Sequence, residues 1–362
     1  MKSVILAGGQ ATRLRPLTCL RPKAMVPIAN TPFMEHFLNY LRSYGVTEAI
    51  LALGHLPDQI RDYFGNGDRI GVRLIVSIED RPLGTAGAVK NAERYLDDLF
   101  LVFNGDVLTD IDLGAMLEFH HRSRALVTIA LVPVEDPSAY GVADIDDTGM
   151  IRQFIEKPPR DKALSNLINA GIYLISPDVL KRIPSGAFSM FEKDVFPGLS
   201  AAGKLYGYCS TAYWIDIGTP AKYLTANHDA VAGRVKLGLR GALSGQPLIA
   251  GTECRIAQDA EITGPVMIGN KCVIASGSRI NGPTAIGDSC RIGRNVVIDQ
   301  AVLWDNVTVE DGAVLRHCVI CSNTTIGTGV KMLDGCLVGE NVTVKKDSLI
   351  DRGCCIWPDR VT

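Results

Sequence analysis

The chain has 362 residues, which predicts two or three domains at roughly 150 residues each. Apolar residues make up 47% and aromatic residues 6%, so the cores are mostly aliphatic. The net charge of −2 lacks the basic excess of nucleic-acid-binding proteins, so no nucleic-acid partner is expected. No apolar stretch reaches the ~18 residues of a membrane span. The N-terminal apolar run has no A-x-A-like cleavage site, so we expect a cytoplasmic protein without a membrane partner.

Residues 1–232 alternate strand-like and helix-like segments. The predicted strands are 2–7, 48–53, 72–77, 99–104 and 126–132, and the predicted helices are 32–44, 57–64, 85–96 and 111–122. This βαβα alternation predicts an α/β domain with a mostly parallel sheet and helices on both faces. Ligands of such sheets bind at the carboxyl ends of the strands. Residues directly after apolar runs are therefore the candidates for a functional site.

The first candidate is the segment LAGGQATRLRPLTCLRPK, residues 6–23, which follows the first strand. Gly8 and Gly9 allow backbone N–H groups to approach a phosphate chain closely. The segment matches neither the P-loop nor the dinucleotide G-x-G-x-x-G motif. A tight turn with solvated arginines would not explain why Arg13, Arg15 and Lys23 accompany one glycine loop in a nearly neutral chain. A polyphosphate site explains it.

Two aspartates end apolar runs. Asp106 follows the run LFLVF in the sequence N-G-D, and Asp216 follows Tyr-Trp-Ile just before a helix start at Thr219-Pro220. Carboxylates at strand tips suit Mg²⁺, which combines few protein carboxylates with phosphate oxygens. A turn aspartate is the alternative for Asp106, since this role is common in N-G-D sequences. The segment FIEKP, residues 154–158, also follows a strand-like run.

The C-terminal third carries a six-residue repeat. Its aliphatic positions are Ile256, Ile262, Ile268, Ile274, Ile280, Ile286, Ile292 and Ile298, then, after a slip near Trp304, Val314, Ile320, Ile326, Met332, Val338, Val344 and Ile350. This period predicts short strands, three to a coil of 18 residues. We place the repeat domain at 247–362, after a linker at 233–246 that has four glycines.

Cysteines also recur in the repeat at intervals of 18 residues. The two series are Cys254, Cys272 and Cys290, then Cys318, Cys336 and Cys354. A thiol ladder or metal site is one interpretation. Small apolar residues that fill a corner of successive coils are the favoured one, because a buried free cysteine behaves as a small hydrophobe.

The repeat resembles the hexapeptide-repeat left-handed parallel β-helix. Such helices serve as acyltransferase domains or as scaffolds for oligomers. Acyltransferases of this type usually need a histidine base, and the repeat contains a single histidine, His317. The resemblance therefore favours a scaffold, and we expect a homo-oligomer.

The N-terminal motifs resemble the sugar-1-phosphate nucleotidyltransferases, a family with a Rossmann-like α/β fold. The matching motifs occur in the family's order: GGxATRLRPLTxxxPK, NGD, FIEKP, NAG and WIDIG. The segment EDRPLGTAG, residues 79–87, and the form WIDIG resemble the branch that transfers guanylyl groups to mannose 1-phosphate. One departure is Ala11, where the family usually has a third glycine.

The resemblance implies roles for individual residues. The residues implied to bind the nucleotide are Leu6, Ala7, Gly8, Gly9, Thr12, Arg13, Lys23, Glu79, Pro82, Gly84, Thr85 and Gly105. Those implied to bind the sugar phosphate are Tyr140, Gly141, Glu156, Lys157, Asn169, Ala170 and Gly171. Asp106 and Asp216 are implied to bind Mg²⁺, and together with Arg13 and Lys23 they form the implied catalytic set.

The implied reaction joins an NTP and a sugar 1-phosphate into an NDP-sugar and releases pyrophosphate. A sugar phosphate is already ionised at pH 7, since its second pKa is about 6, so the reaction needs no general base. Glu79 could accept both donors on the Watson–Crick edge of guanine, which favours GTP. The alternatives are thymidylyl, uridylyl or adenylyl transfer to glucose 1-phosphate, a non-catalytic sensing subunit, and a bifunctional enzyme with an acyltransferase β-helix.

Overall fold

The computed structural model describes residues 1–236 and 248–362. Backbone contacts divide the chain into two compact units, Met1–Gln10 with Phe37–Trp214 and Ala11–His36 with Ile215–Thr362. The segment that carries Arg13 and Lys23 therefore belongs to the same unit as the C-terminal repeat. Most of the predicted linker, residues 237–246, lies outside the described residues. Among the helices that the structure describes, none has the length and apolar character to span a bilayer.

The described part of the chain has six α-helices. They are α1 (Phe33–Ser43), α2 (Pro57–Phe64), α3 (Gly84–Asn91), α4 (Leu113–Ser123), α5 (Phe196–Ala201) and α6 (Pro220–Val231). Short 3₁₀ or π turns occur at Thr12–Leu14, Lys23–Met25, Glu93–Tyr95, Arg160–Lys162, Pro177–Arg182 and Phe191–Val195. Helix α2 has the predicted bounds. Helix α6 begins at Pro220, as the predicted start at Thr219-Pro220 implies, and the Thr219 side chain accepts a hydrogen bond from the Lys222 N–H.

Three predicted helices, now α1, α3 and α4, had wrong bounds. Pro32 lies in a two-residue strand paired with Pro27–Ile28, so α1 begins one residue later than predicted. Helix α3 ends at Asn91, and the predicted remainder forms the 3₁₀ turn Glu93–Tyr95. Helix α4 begins at Leu113 because the Asp112 carboxylate accepts hydrogen bonds from two N–H groups of its first turn.

The first unit is built on a nine-stranded sheet. The main path runs Ile151–Glu156, Gly141–Ile145, Leu167–Ile175, Phe100–Asn104, Lys2–Leu6, Glu48–Leu53 and Arg73–Ile78, and Val127–Pro133 pairs with Leu167–Ile175 and with Leu205–Cys209. Ile151–Glu156 and Leu167–Ile175 run against the other strands. The predicted α/β unit with a mostly parallel sheet is confirmed.

Strand register sets the position of the site. Leu6 pairs with Ala52 and with Asn104, so the carboxyl ends of three parallel strands lie side by side. The antiparallel strand Leu167–Ile175 pairs Ile172 with Phe103, so its N-terminal end reaches the same edge. Segments that follow the parallel strands and the segment that begins the antiparallel one therefore meet there.

The C-terminal repeat forms three parallel sheets of seven, six and six short strands. Each aliphatic position stacks on its counterpart in the next coil, as in the pairs of Ile268 with Ile286 and Ile274 with Ile292. These side chains fill a continuous apolar interior. The predicted β-helix is confirmed.

The predicted register after the slip was wrong at one position. Ile298 pairs with Leu315, which is fully buried, whereas Val314 is half-buried. Ile286 pairs with Leu303 and Leu303 with Ile320, so successive coils are 17 residues apart here rather than 18. Two steps of five residues, at 298–303 and 315–320, replace six-residue steps and explain the slip.

The cysteines of each series stack at one corner, as predicted. The first series precedes strands of a six-stranded sheet, and the second precedes strands of the seven-stranded sheet. The Cys272 thiol donates to the carbonyl of Gly287 at 3.0 Å, and the Cys290 thiol donates to that of Trp304 at 3.1 Å. Within residues 1–236 and 248–362, no group of three or more His, Cys, Asp or Glu residues could hold a metal ion. Cys272, Cys290, Cys318 and Cys336 are buried, which supports the corner-filling interpretation.

Leu315→Ala should destabilise the β-helix more than Val314→Ala. Removing a fully buried leucine side chain costs about 2–5 kcal/mol, whereas Val314 is half-buried and its truncation should cost about 1 kcal/mol or less. Urea unfolding of the two variants measures the difference. Equal losses would contradict the inward register of Leu315.

Candidate active site

The glycine turn after the first strand lies beside Glu79. A Cβ on Gly8 would lie 3.2 Å from Glu79 Oε1 and 3.5 Å from the Gly54 nitrogen, so a side chain at Gly8 would crowd the carboxylate. A Cβ on the exposed Gly9 would meet no described atom within 4 Å. Leu6 and Ala7 end the strand below, and the Ala7 N–H donates to the Ala52 carbonyl at 3.0 Å. The turn and the carboxylate therefore share one small region.

Glu79 is half-buried at the end of Arg73–Ile78. Its Oε2 accepts a hydrogen bond from the Leu83 N–H at 3.1 Å. Burial raises the pKa of Glu79, and the Leu83 hydrogen bond lowers it by a smaller amount. The contact with Leu83 orients the carboxylate and engages one of its two oxygens.

Gly84 and Thr85 pack against the segment that contains Ser189. Gly84 has φ +75°, and a Cβ there would lie 2.5 Å from the Ser189 carbonyl oxygen. The Thr85 hydroxyl donates to Glu192 Oε2 at 2.8 Å and accepts from the Phe191 N–H at 3.0 Å. Pro82 is exposed. Contacts with this segment thus account for a glycine at position 84 and a threonine at position 85. Their contacts with the nucleotide stay predictions.

Gly105 lets the chain turn tightly after Phe100–Asn104. Its N–H donates to the Leu6 carbonyl at 2.9 Å, and a Cβ would lie 2.7 Å from that oxygen and 3.1 Å from the Ala7 Cβ. This close approach leaves no room for a side chain. It places Asp106, which is half-buried, directly after the turn at the carboxyl edge of the sheet.

The segment of Asn169, Ala170 and Gly171 meets Asn104 at the same edge. Gly171 has φ +72°, and a Cβ there would lie 2.6 Å from Asn104 Nδ2. Asn169 Oδ1 accepts from the Gly171 N–H at 2.8 Å, and the Ala170 carbonyl accepts from the Trp214 indole at 2.9 Å. Among the described residues, the buried Asn104 Oδ1 has no hydrogen-bond partner.

Tyr140, Gly141, Glu156 and Lys157 lie at the open end of a hairpin. Gly141 pairs in register with Glu156, and a Cβ on Gly141 would lie 2.8 Å from Glu156 Oε2. The Tyr140 ring contacts the Trp214 ring edge-on, with 5.6 Å between centroids. The exposed Lys157 ammonium lies 3.6 Å from Glu156 Oε1. Since Val142 pairs with Ile168, this group adjoins the Asn169 segment.

Glu192 is a residue that the sequence analysis missed. The residue is 7% exposed, and its carboxylate accepts hydrogen bonds from Thr85 and, at 3.4 Å, from the Tyr173 hydroxyl. Tyr173 in turn accepts from Asn169 Nδ2 at 2.9 Å. Burial raises the pKa of Glu156, and the charge of Glu192 raises it further. Glu192 therefore connects the predicted nucleotide-binding and sugar-binding segments. It lies in the turn Phe191–Val195, which follows no apolar run, so no local pattern marks it.

The second unit contains Thr12, Arg13, Lys23 and Asp216. Thr12 and Arg13 are exposed on the turn Thr12–Leu14, which the fully buried Leu14 anchors. Lys23 is half-buried at the start of its own 3₁₀ turn. A Cβ on Gly218 would lie 2.7 Å from Asp216 Oδ1 and 3.3 Å from Arg13 Nη2, so the guanidinium and the carboxylate both approach the Gly218 backbone.

Lys222 is the second residue that the sequence analysis missed. It lies in the first turn of α6, and its ammonium forms an ion pair with Asp216 Oδ2. Asp216 Oδ1 accepts from the Gly218 N–H at 3.1 Å. Arg13, Asp216 and Lys222 thus form a compact charged group in which two cations accompany one carboxylate.

Comparison with known proteins identifies the family of the N-terminal part. The family model described as Nucleotidyl transferase matches residues 2–233. The chain belongs to this family. A second model, described as EIF2B subunit epsilon LbH domain, matches residues 248–350.

Two relatives of the family indicate the range of its substrates. A mannose-1-phosphate guanylyltransferase of Mycobacterium tuberculosis is 35% identical over 320 residues, which cover 86% of this chain and 82% of the relative. A UTP–glucose-1-phosphate uridylyltransferase of Synechocystis is 38% identical over 251 residues, which cover 65% of each chain. The chain is a nucleotidyltransferase of the kind that acts on sugar 1-phosphates.

Solved structures of the family resemble the N-terminal part. HddC from Yersinia pseudotuberculosis, complexed with GMP-PN, is 33% identical with a TM-score of 0.53, and covers 62% of this chain and 97% of its own. A putative glucose-1-phosphate thymidylyltransferase from Bacillus anthracis is 27% identical with a TM-score of 0.58, and covers 63% of this chain and 94% of its own.

Gly171→Ala should damage the site more than Gly186→Ala. Both glycines have positive φ, so each alanine costs about 1–2 kcal/mol in backbone strain. A Cβ on Gly171 also collides with Asn104, whereas a Cβ on Gly186 meets no described atom within 4 Å. We expect Gly171→Ala to lower both turnover and the melting temperature, and Gly186→Ala to lower only the latter. Steady-state kinetics and thermal unfolding of both variants measure these effects. If the two variants behaved alike, the close approach of Gly171 to Asn104 would be contradicted.

Proposed function

We propose that the chain transfers a guanylyl group from GTP to mannose 1-phosphate and so forms GDP-mannose and pyrophosphate. The observation that carries this proposal is the half-buried carboxylate of Glu79 beside the glycine turn at Gly8. The M. tuberculosis relative is named for this activity, and the HddC structure is described as a complex with the guanine nucleotide GMP-PN. These names support the choice of substrates.

Glu79 has the chemistry to select guanine. Guanine presents two adjacent donors, N1–H and the N2 amino group, and a carboxylate can accept both. Thymine and uracil present one donor between two carbonyl groups, which a carboxylate repels. The Leu83 N–H holds the side chain in one orientation, which lowers the entropy lost when a base binds.

The other end of the site suits a sugar phosphate. Glu156 and Asn169 offer oxygen acceptors for sugar hydroxyl groups, and the exposed Lys157 ammonium offers a cation for the phosphate. Asn104 Oδ1, buried without a partner among the described residues, is available to a ligand donor at the same edge. Glu192 positions Asn169 through hydrogen bonds to and from Tyr173.

The reaction requires charge stabilisation rather than proton transfer. A sugar phosphate oxygen attacks the α-phosphorus of GTP, and the bond to the bridging oxygen of pyrophosphate breaks. The exposed Arg13 can hold two phosphate oxygens with its planar guanidinium. Lys23 and Lys157 supply point charges, one for each substrate. Positioning and electrostatic stabilisation of this kind account for most of the rate in phosphoryl transfer.

Mg²⁺ is the metal that we propose. It takes one or two protein carboxylates together with substrate phosphates, and the chain offers two half-buried aspartates, Asp106 and Asp216. Asp106 and Asp216 would hold the ion, with Lys222 as the cation that already neutralises Asp216. Bound Mg²⁺ would neutralise charge on the triphosphate.

Uridylyl transfer to glucose 1-phosphate is the second candidate. The Synechocystis relative is named for that activity, and the epimeric sugars differ by one hydroxyl group. An acyltransferase activity of the β-helix receives no support from His317, because its two ring nitrogens face Asp334 and Gln300, each at 3.1 Å. Self-association through the β-helix stays a prediction.

A pyrophosphate-release panel tests the proposal. Wild-type protein and Glu79→Gln are each given GTP, UTP, dTTP or ATP together with mannose 1-phosphate or glucose 1-phosphate. We expect wild type to prefer GTP with mannose 1-phosphate. Glu79→Gln should lose roughly tenfold to a hundredfold in kcat/KM for GTP, the worth of a charged hydrogen bond.

The matched control is Glu93→Gln, which removes an exposed carboxylate paired with Lys90. It should leave the nucleotide preference unchanged. Wild-type preference for UTP and glucose 1-phosphate would establish the second candidate instead.

Asp106→Asn and Asp216→Asn should each lower turnover by roughly a hundredfold or more, because each removes a charged ligand of the metal. Both variants should also lose the Mg²⁺-dependent part of GTP binding, measured by calorimetry with and without Mg²⁺. Asp178→Asn, which disrupts an exposed ion pair with Lys181, serves as the control. Near-normal turnover of either site variant with Mg²⁺ would contradict the metal assignment.

A further inference from the structure

Arg21 lies between Arg13 and Lys23 in sequence, but its guanidinium binds the β-helix. Its Nε donates to Glu340 Oε1 at 3.1 Å, and its Nη2 donates to Ser322 Oγ at 3.4 Å. The guanidinium also covers the Trp304 ring, with 4.9 Å to the centroid. Three different contacts on one side chain define its position closely.

The β-helix presents these partners on successive coils. Leu303 pairs with Ile320 and Ile320 with Val338, so Ser322 and Glu340 occupy the same place on neighbouring coils. The Glu340 side chain is 13% exposed and that of Arg21 25% exposed. Because water screens these two charges less, they attract each other more strongly than the charges of an exposed ion pair.

Trp304 ties the same segment to α6. It is 1% exposed, and its indole N–H donates to the Tyr223 hydroxyl at 2.9 Å. The Tyr223 hydroxyl donates to the Pro27 carbonyl at 2.6 Å. The contacts of Trp304 thus reach the segment 11–36 at Arg21 on one side of Lys23 and at Pro27 on the other.

Two further hydrogen bonds hold the segment 11–36. Asn30 Nδ2 donates to the Ile286 carbonyl at 2.7 Å, one coil before Trp304. The Ala29 N–H donates to the Asn227 side chain of α6 at 3.0 Å. The segment 11–36 therefore makes side-chain contacts with the β-helix over several coils, whereas Arg13 is left exposed.

We propose that Arg21 is a positioning residue for nucleotide binding. Held by Glu340, Ser322 and Trp304, it fixes the segment 11–36 in the conformation in which Arg13 and Lys23 bind the NTP phosphates. The β-helix then acts as the support of the phosphate-binding segment. This inference rests on the proposed function, because it assumes that Arg13 and Lys23 bind phosphate.

Loosening this contact affects the two substrates unequally. The segment 11–36 carries the residues proposed for the NTP, whereas the residues proposed for the sugar, Tyr140, Glu156 and Asn169, belong to the other compact unit. Greater freedom of the segment before binding lowers affinity for the NTP, since that freedom is lost on binding. A general loss of folding would lower both affinities together.

The test uses full-length Glu340→Gln, which keeps an acceptor and the side-chain volume but removes the charge. We expect KM for the NTP that wild type uses to rise about tenfold and KM for the sugar phosphate to change less than about twofold. Hydrogen exchange of residues 11–36 in the protein without substrates should become faster. Arg21→Lys should reproduce both effects, since an ammonium lacks the planar fork.

Glu261→Gln is the matched control, because it disrupts the exposed β-helix ion pair with Arg279. It should change neither the KM values nor the exchange of 11–36. If Glu340→Gln does not fold, Ser322→Ala removes one contact of the same guanidinium and should show a smaller shift in the same direction.

The outcomes separate the two proposals. Wild-type protein that releases no pyrophosphate with any NTP and sugar phosphate overturns the proposed function. An active wild type with unchanged NTP KM in Glu340→Gln and Arg21→Lys overturns the role of Arg21. Equal rises in both KM values overturn it as well, since they indicate general damage.

Discussion

The close approach of three glycines to neighbouring backbone and side-chain atoms at the carboxyl edge of the sheet is the constraint on which the candidate site in the first unit depends. Gly105 lies against the Leu6 carbonyl, Gly141 against Phe154 and Glu156, and Gly171 against Asn104. A Cβ at each place would lie between 2.4 and 2.7 Å from its nearest neighbour. Because these contacts leave no space for side chains, the proposed functional groups come from neighbours of the glycines: Asp106 and Asn169 along the chain, and Glu156 across the hairpin. The register of the antiparallel strand Leu167–Ile175 brings the segment proposed to bind the sugar to the same edge.

Much of this edge could be predicted from the sequence, because its segments directly follow apolar runs. The strand Glu48–Leu53 and helix α2 have the predicted bounds, and Asp106 follows its strand as predicted. Glu192 could not be predicted, because its hydrogen bond to Thr85 joins residues 107 apart and no local pattern marks it. Arg21 and Glu340 are 319 residues apart. Side-chain pairing over such distances depends on tertiary packing, which periodicity does not report.

The β-helix shows where a periodic pattern stops being informative. Its six-residue period predicts strands and inward positions as long as every step has the same length. At Val314-Leu315 two adjacent aliphatic residues both satisfy the pattern, and only pairing with Ile298 and Met332 shows that Leu315 points inward. The two cysteine series occupy different corners, since Val307 takes the place of Cys290 on the next coil and Cys318 follows Ala301. Periodicity therefore identifies the architecture, whereas the register depends on which residues stack.

Ala11 begins the segment 11–36, which we propose to bind the NTP phosphates. It adopts φ 48° and ψ 43°, a left-handed conformation that costs a residue with a Cβ about 1–2 kcal/mol. A strained backbone of this kind is maintained where surrounding contacts hold it in place. Three contacts of the segment do so: Thr18 Oγ1 donates to the Ala11 carbonyl at 2.9 Å, Leu14 is fully buried, and Arg21 is bound by Glu340. An alanine at this position also has fewer accessible conformations than a glycine when the chain is unfolded. The left-handed turn at Ala11 and the contacts of Arg21 thus act together, since both restrict the conformations from which Arg13 would bind a phosphate.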